Sequence, residues 1–187
     1  MIKFNFIAAN VFLMKWILLG IPFLIVVSFP LHFAYDWSGN SLIVGIFAPV
    51  NESVWEHLRL TFWPMLVWWL AGYVISGKGN RISADKWFTS CAVAEVTCML
   101  VIVSFFYTYT GAFGIESIIL DIFSLFLGVV VSQFLALHVY NYSKPGQNCL
   151  IVSIAILVLL AIAFIAFTFD PPNIPIFKDA STGKYGI

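Results

Sequence analysis

Long apolar runs alternate with short polar breaks along the whole chain. The runs are too long and too evenly apolar for the one-sided helices of a water-soluble protein. A helix that crosses roughly 30 Å of hydrocarbon needs about 20 residues at about 1.5 Å rise each. Five runs supply that length, at about 15–34, 53–76, 86–108, 116–142 and 149–169. The separators carry helix-breaking residues: Gly39-Asn40, Gly77-Lys78-Gly79-Asn80, Gly111 to Gly114, Pro145-Gly146 and Asp170-Pro171-Pro172. The stretch Ser41 to Val50 is apolar too, but at about ten residues it is too short to cross. With Gly45 and Pro49 as breakers, it is expected to lie in the interface or to dip in and return. The expected fold is all-α, a polytopic membrane protein built as a bundle of five transmembrane helices, a single domain over 1–187 with an outer tail at 170–187. Lys3 and Lys15 before an apolar stretch also suit a signal peptide. No A-x-A-like site follows and the run is long, so a retained anchor is expected.

Composition agrees with this pattern. Apolar residues make up 61% of the 187 and charged residues 10%, against about 45–50% and about 25% in soluble domains. A bilayer is the implied partner. A Rossmann-type enzyme, a nucleic-acid reader with a basic face and a disulfide-stapled secreted module are all excluded. Nine basic and nine acidic residues cancel, yet they are unevenly placed. Lys3, Lys15, Lys78, Arg81, Lys86 and Lys144 fall on one side of the five spans, leaving Arg59, Lys178 and Lys184 on the other. The positive-inside rule then places the N-terminus in the cytoplasm and the C-terminus outside the cell membrane. Asp36, Glu52, Glu56, Glu116, Asp121, Asp170 and Asp179 map to the outer boundary. Cys91, Cys98 and Cys149 form no C-x-x-C pair, lie in apolar runs and read as free, packed thiols. Phosphate-binding, nucleophile-elbow and H-E-x-x-H motifs are absent, and no internal repeat suggests an inverted-repeat transporter.

The candidate chemistry gathers at the outer ends of the first two spans. His32 and Asp36 are four residues apart, as are Glu52 and Glu56, so each pair shares a helix face where the helix extends that far. A short connection brings these ends together. His32, Asp36, Glu52, Glu56 and His57 would then converge as nitrogen and oxygen ligands, a set that suits zinc, manganese or iron. A structural reading stands beside it. Ser53-x-x-Glu56 is a capping box, and Glu52 sits where a helix N-terminus favours negative charge. Arg59 is spaced for an ion pair with Glu56 or a cation–π contact with Trp55. His32 after Pro30 also fits an interfacial histidine.

Glu95 lies about 12 Å into the third span, where a charge costs at least about 2.5 kcal/mol. It is expected to point into the bundle, protonated, and to share a hydrogen bond with a polar side chain of another span. A proton carrier, ion ligand or ligand anchor is the functional reading, and a neutral carboxyl bonded to Ser90, Thr97 or Gln133 the structural one. Asp121, one turn into the fourth span, belongs either with the outer cluster or with its own helix start. His138, with Tyr140 and Tyr142, reads as interfacial at the inner end. Trp63, Trp68 and Trp69, with Phe62 and Tyr73, either line an apolar cavity for a lipid tail or pack helix against helix. Gly128-x-x-x-Ser132 is a small-residue contact face.

The run Pro49-Val-Asn51-Glu52-Ser53-Val-Trp55-Glu56-His57, together with the C-terminal Pro171-Pro172 and Thr182-Gly183-Lys-Tyr185-Gly186, resembles an uncharacterised family of small bacterial membrane proteins, a domain of unknown function. That resemblance covers nearly the whole chain and implies a multi-span helical protein without an assigned activity. His32-x-x-x-Asp36 and Trp55-Glu56-His57 bear a weaker likeness to the emopamil-binding and sigma-2 type of membrane proteins, which implies a sterol pocket. Three readings follow: a binder of a divalent cation or of a small polar or lipid ligand, a metal- or Glu/His-dependent enzyme acting on a lipid, and a structural subunit of a membrane assembly.

Overall fold

A computed structural model describes residues 2–77, 82–179 and 181–187, with side chains from Val11 onward. Its helices are α1 (Ile2–Trp37), the one-turn α2 (Leu42–Gly45), α3 (Val54–Gly77), α4 (Ala84–Phe113), α5 (Ile118–Tyr142) and α6 (Gln147–Phe169). Five of these, α1 over Val11–Trp37 and α3 to α6, are long and apolar enough to cross a membrane, the architecture of a multi-pass membrane protein. The expected all-α bundle is therefore the observed fold.

Two boundaries differ from expectation. Helix α1 begins at Ile2 rather than near Lys15, because polar side chains limit where lipid contact starts and not where the backbone ladder starts. Helix α4 runs through Gly111 and stops at Gly114, whose φ of 67° forms the left-handed cap. Within its last turns, Thr108 and Thr110 donate to the Ser104 and Phe106 carbonyls at 2.6 and 2.7 Å, so their hydroxyls are satisfied inside the helix. The expected separator at Lys78 to Asn80 and the basic residue Arg81 lie outside the described residues.

The α1–α3 pair forms the centre. Trp16 and Trp68 stack at 4.4 Å, and each indole N–H donates to the other's carbonyl, at 3.2 and 3.1 Å. This reciprocal clasp requires two glycines. A Cβ on Gly20 would lie 2.9 Å from the Trp68 Nε1, and one on Gly72 would run into the Trp16 indole. Further along, Pro64 lacks the N–H that would bond the Leu60 carbonyl. Ser28 of α1 donates to that carbonyl at 3.0 Å while also bonding Leu24 in its own helix at 2.7 Å. Trp69 packs on Trp87 of α4, whose Nε1 donates to the Trp69 carbonyl at 2.9 Å. Trp68 and Trp69 therefore serve packing between helices. Gly128 of α5 sits against Cys98 and Ile102 of α4, so the small-residue face is a helix contact. Cys91 and Cys98 are buried, whereas Cys149 is exposed at the start of α6, contrary to the expectation of a packed thiol.

After α6 the chain turns back. Phe177, in a 3-10 turn at Pro175–Phe177, is buried against Trp55 and Phe167 at 4.9 and 5.2 Å. Asp179 accepts from the Ser181 N–H and hydroxyl and from the Thr182 N–H. Burial disfavours its charge, but these donors prevail and hold its carboxyl below the ordinary range. Gly186 has a φ of 67°, and a Cβ there would stand 2.9 Å from Pro171, which accounts for the glycine of the C-terminal motif. The Gly186 carbonyl accepts from Asn51 at 3.0 Å, and the Ile187 N–H donates to the Thr168 carbonyl at 3.3 Å. The tail thus straps the end of α6 to the start of α3.

The end of α1, the start of α3, the start of α5 and this tail share one end of the bundle, where the acids collect. A reporter fused after Ile187 is expected to be extracytoplasmic, and one inserted between the second and third spans cytoplasmic. Protease protection or reporter activity at the two sites checks the assignment.

Candidate metal centre

His32 comes from the last turns of α1, and Glu52 and His57 flank the first turn of α3. The connection between them is short because α2 and the turn after it fold directly back. His57 sits one turn into α3, and its Nδ1–H donates to the Ser53 carbonyl at 2.8 Å. That bond fixes the ring's direction and aims Nε2 toward His32 and Glu52. The Nε2 atoms of His32 and His57 stand 3.1 Å apart. Glu52 Oε2 is 3.3 Å from the His57 Nε2 and 3.8 Å from the His32 Nε2. Metal–ligand bonds of about 2.0–2.2 Å in a tetrahedron give ligand separations of about 3.3–3.6 Å. The three observed separations bracket that range. Among the described residues, these three side chains form the one group of three or more at metal-binding distance.

The site opens to one side. Glu52 keeps 52% of its side-chain exposure, whereas the imidazoles keep 28% and 30%. The hydrogen bond with His57 holds the Glu52 carboxyl below its ordinary value, burial opposing and the two imidazoles reinforcing the shift. Further acids stand near these three side chains. Asp36 acts electrostatically on His32, Asp121 on His57 and Asp179 on Glu52. The surroundings of the site are anionic, suited to a cation.

Glu56 belongs to a different constellation. Its Oε1 lies 2.8 Å from the Arg59 Nη2, and its Oε2 accepts from the Val50 N–H at 3.1 Å. Only the serine half of the capping box forms, with the Glu56 N–H donating to Ser53 Oγ at 3.3 Å. The Ser53 N–H bonds Asn51 Oδ1 at 2.9 Å instead. Arg59 is fully buried and donates to the Gly45 carbonyl at 2.6 Å, to the Phe164 carbonyl at 2.7 Å and to Thr168 Oγ1. Its guanidinium also lies 5.9 Å from the Phe164 ring, so the cation–π partner is Phe164 and not Trp55. Asp36 and Glu56, expected among the ligands, are therefore outside the convergent group: Asp36 within electrostatic reach of it, Glu56 engaged by Arg59.

Asp121 accepts from the Tyr109 hydroxyl at 2.7 Å, a partner from α4 that its sequence position does not reveal. Glu95 does point into the bundle and is fully buried. The expected hydrogen bond from another span is not formed, and both its oxygens are without a partner among the described residues. Nearby hydroxyls are engaged elsewhere, Ser90 with the Lys86 carbonyl and Ser132 with the Val129 carbonyl. His138 packs on Tyr142 at 4.8 Å, at the opposite end from the triad.

A family model described as a family of unknown function, DUF6512, matches residues 6–187. The chain belongs to the DUF6512 family. No curated protein and no solved structure matches it. With no relative of known activity beside this member of DUF6512, the chemistry of the site has to be argued from the residues themselves.

Breaking a buried ion pair by removing one partner costs about 3–5 kcal/mol, because the other charge is left stranded. Arg59→Met is therefore expected to lower unfolding free energy in detergent by that order. The double variant Arg59→Met/Glu56→Leu is expected to recover part of the loss, which a double-mutant cycle measures.

Proposed function

We propose that this protein binds a divalent metal ion through His32, Glu52 and His57, at the extracytoplasmic boundary of the cell membrane. The convergence of two imidazole nitrogens and one carboxylate oxygen at tetrahedral separations carries the reading. Two imidazoles and one carboxylate suit zinc, whose tetrahedral separations they approach, and the same donor set also holds iron(II) as a facial triad, whereas manganese favours more oxygen ligands. Asp36, Asp121 and Asp179 supply an anionic surround that draws a cation in. Ser53, through its carbonyl, and Asn51, which ties the turn before α3 to the tail, hold the ligand geometry.

Metal-stripped protein titrated with zinc is expected to take up one ion per chain. His32→Ala and His57→Ala should each weaken binding more than about 100-fold, since loss of an orienting partner alone costs about 10–100-fold. Unchanged uptake in the His32→Ala/His57→Ala double variant would show that the triad is not the site. The pH dependence has a definite sign. Ligands bind metal deprotonated, and free imidazoles protonate below about pH 6.5. Glu52, with its carboxyl held low, remains ionised through that range. Affinity is expected to fall as pH drops from 7 to 5, by up to about two log units per pH unit, one for each imidazole.

A second reading rests on the open side of the site. Catalytic zinc commonly has three protein ligands and a fourth position for water, whereas structural zinc has four. With Asp121 within electrostatic reach of His57 as the candidate base, such a centre would suit hydrolysis of a lipid whose headgroup reaches the boundary. Turnover of a panel of phospholipids by zinc-loaded protein, lost in Asp121→Asn while zinc uptake is kept, distinguishes this enzyme from a binder.

A further inference from the structure

A second polar group lies in the middle of the bundle, away from the triad. Glu95 of α4 is fully buried with both carboxyl oxygens unpartnered among the described residues, and Gln133 of α5 is fully buried with both carboxamide atoms in the same condition. Packing contacts set their relative level. Trp87 of α4 meets Tyr140 of α5 at 5.8 Å, and a Cβ on Gly128 of α5 would lie 3.1 Å from the Cys98 carbonyl of α4. Between those two contacts the helices run antiparallel, which brings Glu95 to the level of Ser132 and Gln133.

Two hydroxyls complete the layer. Thr61 of α3 and Ser132 stand beside the Cys98 thiol, one turn from Glu95. Thr61 donates to the Leu58 carbonyl and Ser132 to the Val129 carbonyl, both at 3.0 Å. Each hydroxyl has given its proton to its own helix and offers the interior only lone pairs. On α1 the wall is Gly20, where a Cβ would come within 3.4 Å of Gln133 Oε1. Strong acceptors therefore lead: two carboxyl oxygens, one carboxamide oxygen and two hydroxyl oxygens, against the NH2 of one carboxamide and the weak donors of two thiols, Cys91 and Cys98.

No charged group among the described residues acts on Glu95, and the titratable groups beside it are the thiols of Cys91 and Cys98. An acceptor-rich layer around one carboxyl in a low-dielectric interior is complementary to a single positive charge. A divalent ion would leave an excess charge buried in hydrocarbon. We propose that Glu95, Gln133, Ser132 and Thr61 form a mid-membrane site that binds one monovalent cation, a proton or a sodium ion. This site stands independently of the metal centre.

Infrared difference spectroscopy of the full chain in lipid nanodiscs tests it. With choline replacing all metal cations at neutral pH, a protonated-carboxyl C=O band is expected that disappears in Glu95→Gln. Glu95→Asp, which keeps an acid, should shift the band, so the assignment survives if the amide variant does not fold. Overnight transfer to deuterium oxide is expected to lower the band's frequency as the bound proton exchanges with solvent. Replacing choline by sodium at constant pH then separates the two ions. Loss of the band means that sodium displaces the proton, and an exchanging band indifferent to sodium means that the site takes the proton alone. Gln133→Leu should move the pH or sodium midpoint by about tenfold, the loss of one hydrogen bond of ordinary strength. Two results overturn the proposal. Absence of the band in choline would leave a carboxylate with no cation on it, and a band that neither shifts in deuterium oxide nor responds to sodium would be a sealed structural carboxyl.

Discussion

A guanidinium cannot give up its charge in a protein interior, so burying Arg59 obliges the surrounding chain to come to it. Glu56 answers with a carboxylate from one turn earlier in the same helix. Further bonds go to the Gly45 carbonyl, the Phe164 carbonyl and the Thr168 hydroxyl, which come from α2 and α6, and the Nε is left without a partner among the described residues. One side chain therefore decides three placements. The segment after α1 must tuck inward until its carbonyls reach α3, and α6 must bring its final turn to the same depth. Glu52 lies on the chain between that tucked segment and α3, so its position beside His57 is inherited from the tuck.

Much of this was legible in the sequence, and the reason is physical. Hydrocarbon imposes a length and an apolarity on each span that no other constraint imitates, so five helices and the short segment after the first could be read directly. The pairing of His32 with His57 was also legible, because a short connection leaves two helix ends no alternative to meeting. The partners of the acids were not. Glu52 and Glu56 are both acidic and close to the same histidines, yet one faces the imidazoles and the other faces a buried cation. That choice depends on where α6 delivers Phe164 and Thr168, more than a hundred residues away. The Tyr109–Asp121 bond spans only twelve residues, but it depends on how the turn capped at Gly114 returns α5 against α4. The signal that was available, Arg59 three residues after Glu56 on one helix, pointed to an ion pair but not to the carbonyls that join it.

Polarity in the bundle is arranged by depth. At one end of the bundle the triad stays partly exposed. Further along α3, Arg59 marks the level at which charge survives only when fully enclosed. Beyond it lie Thr61 and the layer containing Glu95, where hydroxyls bond their own helices and a fully buried carboxyl has no partner among the described residues. The α1–α3 clasp of Trp16 and Trp68 closes the far side with indoles whose N–H groups are both used.

The strap formed by the tail bears on how the molecule is made. Asn51, at the start of the second span, finds its carbonyl partner on Gly186, and Thr168 is closed by Ile187. A chain emerging from the ribosome inserts its first two spans long before either partner exists. Until the fifth long helix and the tail have joined the bundle, the start of α3 lacks the contacts that fix the turn bearing Glu52. Assembly of this end of the bundle is therefore deferred until the tail has docked, and a product stalled before that point carries His32, Glu52 and His57 without the frame that aligns them.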